Sequence, residues 1–299
     1  MSWEQHLIDS TFNFIQGVCV VDLDGDSDID VVGGRLADSP DPYLLWWENL
    51  DGAGGSWLQH LVNSDGDCHT VQVIDMDFDG DWDLLTAGGG RVEWWENLNA
   101  SGYWLGHSIA HFPGVHGVCS ADLDGDGDLD VAACSDISGI TDDVSWWENL
   151  DSEGTVWSKH VIDGSAWGAM DLCAVDLDED GDMDLLGAVY YQFEKDVTWW
   201  ENIDGSGLSW GTRVIDGCLD GAYSITTADF DEDGDPDVLA AGTYGEIAWW
   251  DVLCHTPEGL LESSVLDTQC SPLWDGIDWT CEEPQGTSVH FQVRSSSDP

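Results

Sequence analysis

Basic side chains are almost missing from this chain: two lysines and four arginines stand against 61 acidic residues in 299, a formal net charge of −55. A surface of that sign repels phosphate backbones and anionic headgroups, so nucleic acid and an anionic membrane surface are both disfavoured and no nucleic-acid partner is expected. Long apolar runs are missing too. Nothing approaches the roughly 20 residues of a membrane-spanning helix, so no membrane insertion is expected. The opening Met-Ser-Trp-Glu-Gln-His has neither the basic nor the apolar region of a signal peptide. Either the chain works in the cytosol or its true start lies upstream. The nine cysteines never fall in CxxC spacing, which argues against zinc ribbons and thioredoxin-like chemistry. Also lacking are a serine-nucleophile motif, a phosphate loop and a His-Glu-x-x-His helix.

What the chain has is a large apolar fraction, 42%, with 19 tryptophans and 35 glycines, enough to build a sizeable core. It also has a repeat. Asp122-Leu-Asp124-Gly-Asp126-Gly-Asp128-Leu-Asp130 runs straight into Val131-Ala132-Ala133, and the same alternation of aspartates occurs four more times. The loops carry Asp22, Asp24, Asp26, Asp28 and Asp30, then Asp75, Asp77, Asp79, Asp81 and Asp83, then the set from 122 to 130. Asp176, Asp178, Asp180, Asp182 and Asp184 follow, and the last set is Asp229, Asp231, Asp233, Asp235 and Asp237. The first aspartates are 53, 47, 54 and 53 residues apart.

Two further markers keep the same period. Trp-Trp-Glu-Asn stands at 46–49, 94–97, 146–149 and 199–202, and weakens to Trp249-Trp250-Asp251. Trp-x-x-His follows at 57–60, 104–107 and 157–160, with Arg213 in the last position of the fourth copy. Each unit therefore reads as four short strands; in the third they are about His116 to Ala121, Leu129 to Cys134, Val144 to Leu150 and Val156 to Ile162. Four strands per fifty-residue unit is the signature of a propeller blade, and adjacent tryptophans pointing to opposite faces need both faces buried, as they are between blades.

The expected fold is thus an all-β, five-bladed β-propeller over residues 1–252. Trp3-Glu-Gln-His6-Leu-Ile-Asp9 repeats the third marker, and the fifth unit lacks one. The N-terminal strand is accordingly expected to supply the outer strand of the last blade and close the ring. The alternative is a fragment of a larger ring, for example a seven-bladed one. Residues 253–299 break the pattern. Leu260 to Leu266, Ile277 to Cys281 and Thr287 to Arg294 read as strands, so this segment is expected to open a truncated β-sandwich.

A row of carboxylates on a tight loop repels itself unless a cation sits among them; two charges about 4 Å apart cost roughly 1 kcal/mol even in water. Side chains at positions one, three and five can converge on one ion, the carbonyl of position seven adds a ligand, and position nine completes the site. Oxygen-only ligands on a flexible loop select Ca²⁺ over Mg²⁺, giving about five sites, although five divalent ions would offset only ten charges. Glycine at position six, namely Gly80, Gly127, Gly181 and Gly234, permits the turn; Ser27 stands there in the first loop, which predicts the weakest site. An EF-hand is excluded, because position twelve is Gly33, Thr86, Ala133, Gly187 or Ala240 instead of Glu, and the flanks are strand-forming.

On these loops the chain resembles the integrin-α-like family of FG-GAP or VCBS repeat propellers, whose hallmark is Asp-x-Asp-x-Asp-Gly-x-x-Asp between two strands of a blade. The long form with Trp-Trp-Glu-Asn is similar to bacterial secreted repeat proteins. The resemblance implies Ca²⁺ at Asp22, Asp24, Asp26 and Asp30 and their counterparts, and an extracellular or cell-surface adhesion role for what is then a monomeric module of a larger chain. It departs from the family in that such rings often have seven blades and that no integrin-type ligand-binding insert is visible. Residues 260–299 are similar to the opening of a sandwich domain that follows such repeats.

Other residues divide by how they repeat. His6, His60, His107 and His160 share one strand position and read as structural. Cys19, Cys119 and Cys173, each three residues before a first aspartate, read as small buried hydrophobes. The position six residues before each loop varies instead: Gln16, His69, His116, Met170 and Tyr223. It falls at the channel mouth, where a propeller can build a binding site for a protein or glycan ligand. The expected function is a noncatalytic, calcium-stabilised interaction or adhesion module. A glycan-binding lectin is the alternative, and a propeller-associated carbohydrate-active enzyme comes third.

Overall fold

The structure is a computed structural model describing residues 3–36, 43–98, 102–137, 144–190, 196–219 and 221–251. The strands expected beyond residue 253 lie outside the described residues.

Nineteen strands follow one another as antiparallel meanders. The first blade is β1 (Ile15–Val21), β2 (Asp30–Arg35), β3 (Leu44–Asn49) and β4 (Trp57–Asn63). The second is β5 (Thr70–Ile74), β6 (Asp83–Gly88), β7 (Arg91–Asn97) and β8 (Trp104–His111). The third is β9 (Val115–Ala121), β10 (Asp130–Ser135), β11 (Val144–Asn149) and β12 (Trp157–Asp163). The fourth is β13 (Ala169–Val175), β14 (Asp184–Val189), β15 (Val197–Asn202) and β16 (Trp210–Asp216). The fifth is β17 (Ala222–Ala228), β18 (Asp237–Gly242) and β19 (Ile247–Trp250). These five sheets form a five-bladed β-propeller, with the innermost strands β1, β5, β9, β13 and β17 lining a common cavity.

Burial explains the sequence pattern strand by strand. The second strands β6, β10 and β14 are buried at every residue, which is why they read as unbroken apolar runs after their first aspartate. The outer strands β4, β12 and β16 are largely half-buried or exposed. The paired tryptophans face opposite ways. Trp46 and Trp95 belong to one cluster between the first and second blades, Trp94 and Trp147 to the next, Trp146 and Trp200 to the one after, and Trp199 and Trp250 to the last. In the second, third and fourth blades the first indole faces the following blade and the second faces the preceding one. An indole that buries on the order of 200 Å² contributes about 5 kcal/mol of transfer free energy, so these pairs dominate the packing between blades.

Polar bonds fix the same interfaces. Trp94 Nε1 donates to the Gly154 carbonyl at 2.9 Å, and Trp146 Nε1 to that of Gly207 at 2.9 Å, each reaching into the β-turn of the next blade. Both glycines have left-handed φ, 64° and 65°. A Cβ on Gly207 would stand 2.4 Å from the Trp146 ring, so only glycine lets that indole lie against the turn.

One expectation is corrected. Residues 3–13 form no strand, Trp3 is 96% exposed, and the fifth sheet has three strands among the described residues. The N-terminal strand does not supply the fifth blade's fourth strand. The reason is local. Asp9 Oδ1 accepts from Thr11 Oγ1 at 2.7 Å and from the Phe12 amide at 3.3 Å, a side-chain turn that ends the extended run. Trp47 Nε1 also donates to Asp9 Oδ2 at 3.3 Å, and the Phe12 ring meets Trp47 edge-on at 5.2 Å. The segment is spent covering Trp47, as Phe112 covers Trp147 at 5.2 Å. Val18 and Val20 on β1 are 60% and 62% exposed, and Ile247 and Trp249 on β19 are 71% and 47% exposed.

Candidate functional site

Each acidic loop closes the hairpin between the first two strands of a blade. The ninth-position aspartate is the first residue of the second strand and pairs with the last residue of the first: Asp30 with Val21, Asp83 with Ile74, Asp130 with Ala121, Asp184 with Val175 and Asp237 with Ala228. Within the loop the aspartates bond the backbone that follows them. Oδ2 of the first accepts from the amide at position six, at 3.0 to 3.2 Å for Asp22, Asp75, Asp122, Asp176 and Asp229. Oδ1 of the fifth accepts from the amide at position seven, as in Asp126 with Asp128 at 3.1 Å. Position six is left-handed throughout, with φ 96° to 105° at the four glycines and 80° at Ser27.

The ninth aspartate is buried in all five loops. Its Oδ2 accepts from the amide of the second loop residue, for instance Leu123 at 2.9 Å. In the first four blades its Oδ1 accepts from the amide of the motif asparagine at 2.8 to 2.9 Å, at Asn49, Asn97, Asn149 and Asn202. The conjunction of Trp-Trp-Glu-Asn with the acidic loop is therefore a physical joint. Burial, only partly offset by those amides, pushes Asp83 and Asp130 up to about 7 and Asp184 up to about 6. At the third position burial, reinforced by carboxylates close by, raises Asp24, Asp77, Asp124, Asp178 and Asp231.

Carboxylate oxygens of positions one, three and nine lie within 4.8 Å of one another in four loops, namely Asp22, Asp24 and Asp30; Asp75, Asp77 and Asp83; Asp122, Asp124 and Asp130; Asp229, Asp231 and Asp237. In the fourth loop the close set is Asp176, Asp178 and Asp180. Asp75 Oδ1 and Asp178 Oδ1 are buried without a hydrogen-bond partner, a costly state for an anion. Oxygen-only donors, crowded, raised in pKa and partly orphaned, fit a hard cation. Position seven points elsewhere: Asp128 Oδ2 accepts from Ser152 Oγ at 2.8 Å, and the Asp28 and Asp182 carboxylates lie against Gly52 and Gly205 of the β3–β4 and β15–β16 turns.

The opposite end of the strands carries the cavity, of about 280 Å³. It brings together all five variable residues, Gln16, His69, His116, Met170 and Tyr223. His116 Nδ1 bonds the Met170 carbonyl at 2.7 Å, and its Nε2 is 3.4 Å from the Tyr223 hydroxyl. The His69 and His116 rings are 4.6 Å apart, and burial together with that neighbour lowers the pKa of His69. Asp171, absent from the sequence reading, lies in the same wall. It accepts from Ser224 Oγ and the Ile225 amide, both at 3.0 Å, tying the fourth blade to the fifth, and burial raises its pKa. The one signal for it was its place next to the variable Met170.

The repeated histidines are structural where they lie in strands. His60, His107 and His160 stack on Trp46, Trp94 and Trp146 at 4.3, 4.3 and 4.7 Å and bond Glu48, Glu96 and Glu148 at 2.7, 2.7 and 2.8 Å. Arg213 takes the same place over Trp199 and pairs with Glu201. His6 is exposed. Cys119 is buried and Cys19 and Cys173 are half-buried, all three as free thiols; burial pushes Cys19 up to about 12.

A model of the FG-GAP-like repeat matches residues 22–86, 75–133 and 188–240, more than half of the chain. Among solved structures, a lectin from Agrocybe aegerita that recognises non-reducing terminal N-acetylglucosamine is similar at 16% identity and a TM-score of 0.52, over 78% of this chain and 66% of that one. BBS1N, solved in complex with ARL6DN, is similar at 12% identity and a TM-score of 0.51, over 83% and 66%. The V. cholerae biofilm matrix protein Bap1 aligns at 17% identity and a TM-score of 0.45, over 78% and 37%. The chain thus spans two thirds of these structures at most. No curated protein sequence matches it. Among the described residues no helix is long and apolar enough to cross a membrane.

Proposed function

The chain belongs to the FG-GAP-like repeat family, and we propose that it is a noncatalytic extracellular interaction module, clamped by calcium at one end of its blades and binding its ligand at the other. The observation that carries this reading is the separation of the two chemistries. Every acidic loop leaves the last residue of an innermost strand, while the variable residues enter the cavity from the first residues of those strands or just before them. Aspartates at positions one, three and nine would hold the ion in the first, second, third and fifth loops, and Asp176, Asp178 and Asp180 in the fourth. Bound calcium supplies positive charge among these carboxylates. The chain's own part is to hold the third strand to the loop through the ninth aspartate, which keeps the cavity wall in place.

A glycan is the ligand that the cavity lining favours. Imidazole, phenol, amide and hydroxyl groups of His116, Tyr223, Gln16 and Ser224 suit a neutral polyhydroxylated molecule, and the carboxylates around them disfavour an anionic one. The test pairs glycan-array binding with calcium calorimetry. Glycan binding that Tyr223→Ala removes without altering calcium uptake supports the lectin form. Calcium uptake with a protein ligand only keeps the module and removes the glycan. Turnover of a bound glycan, or a melting curve unchanged by excess chelator, overturns the noncatalytic or the calcium part respectively.

A further inference from the structure

His69 is half-buried, and among the described residues neither of its ring nitrogens has a hydrogen-bond partner. Its Nδ1 is closed off from solvent without a partner, and its Nε2 stands 3.9 Å from Asp67 Oδ2, beyond hydrogen-bond reach. A ring so placed at a cavity wall lacks something that its lone pair can meet. Its neighbour is prepared in the complementary way. The Met170 carbonyl can only accept, so the 2.7 Å contact fixes the His116 proton on Nδ1 and puts the lone pair on Nε2, where it accepts only a long, 3.4 Å bond from the Tyr223 hydroxyl that an ion would displace. A backbone carbonyl holding the far nitrogen is how metal-ligating histidines are oriented. The two rings come from matching positions at the start of adjacent innermost strands and lie 4.6 Å apart.

We propose that His69 and His116 form the nitrogen half of a binding site for a borderline divalent ion, Zn²⁺ or Cu²⁺, at the channel mouth, with Asp67 balancing its charge. Imidazole nitrogen selects these ions, whereas the oxygen-only loops at the other end select hard cations. A molecule would then sort two kinds of ion to its two ends. The site does not depend on calcium occupying the loops, and its test is run with the loops saturated so that the two cannot be confused.

Zn²⁺ is titrated calorimetrically into the full chain in millimolar calcium, and Cu²⁺ is followed by electron paramagnetic resonance. The expected result is one tight Zn²⁺ equivalent, weakened by His69→Ala or His116→Ala by more than the about 10- to 100-fold that losing a partner behind a ligand costs. The copper spectrum should show coupling to two imidazole nitrogens, reduced to one in either variant. His69→Gln and His116→Gln, checked by metal-free melting curves, stand in if an alanine variant does not fold. No Zn²⁺ uptake in calcium overturns the proposal. So does uptake that survives loss of both histidines, which would place the ion on outer-strand residues such as His60.

Discussion

Asp130 and Asn149 are joined across a blade by one hydrogen bond: the asparagine amide donates to Asp130 Oδ1 at 2.9 Å, while Oδ2 of the same buried carboxylate holds the Leu123 amide at 2.9 Å. One side chain thus fixes a loop, the start of the second strand and the end of the third. Asp130→Ala leaves two buried amides unpaired at about 1–3 kcal/mol each, so stability should fall by about 2–6 kcal/mol. Asp130→Asn keeps one acceptor and should lose less. Chemical denaturation in chelator measures both; an alanine variant as stable as the parent would show that the joint is idle.

Acidity separates the metal-free protein from the calcium-loaded one. Unfolded aspartates titrate near ~3.9, whereas Asp83 and Asp130 titrate at about 7 and Asp184 at about 6 in the fold. Between those values the native state holds more protons than the unfolded chain, so its stability falls as pH rises. In chelator the melting temperature should drop from about pH 5 to about pH 7.5. Calcium needs the ionised carboxylates and should reverse that slope over the same range. A melting temperature that climbs with pH in chelator would contradict the raised values.

Ser27 holds a left-handed φ of 80° where the other loops have glycine. That conformation costs a side-chain-bearing residue roughly 1–2 kcal/mol. Ser27→Gly should therefore stabilise the protein in calcium and tighten its weakest calcium step by at least about fivefold, a change of about 1 kcal/mol. Stepwise calorimetry reads this directly, and an unchanged weakest step would locate that step in another loop.

The fourth blade has already run one substitution experiment. Arg213 sits 4.6 Å from the Trp199 ring and pairs with Glu201, as His107 does with Trp94 and Glu96. His107→Arg should stay within about 0.5 kcal/mol of the parent, while His107→Ala should cost about 1 kcal/mol through lost stacking and a lost charge-assisted bond. Thermal melts of the two variants check it; equal losses would mean that the site needs imidazole specifically.

Repeat period and strand pattern made the five blades legible, because a blade buried on both faces writes its period into the chain: Trp46 and Trp47 could not both be buried in a one-sided sheet. The loop aspartates were legible as a set, but not the turn of Asp128 toward Ser152, which depends on a hairpin 24 residues away. The N-terminal segment misled for a physical reason. Trp3 and His6 carry the outer-strand pattern, yet Asp9 ends the run with its own side chain and Phe12 spends it on Trp47. A signal existed, since Phe12 and Phe112 both stand ten residues before a first loop aspartate.

The Gly154 carbonyl receives two indoles, Trp157 of its own blade and Trp94 of the blade before, each at 2.9 Å. Gly207 repeats the arrangement with Trp210 and Trp146. A single oxygen therefore reports on two repeats at once. Disturbing that turn loosens the core of the preceding blade as well as its own, so neighbouring blades melt as coupled partners and the fifty-residue repeat is a unit of sequence without being a unit of stability.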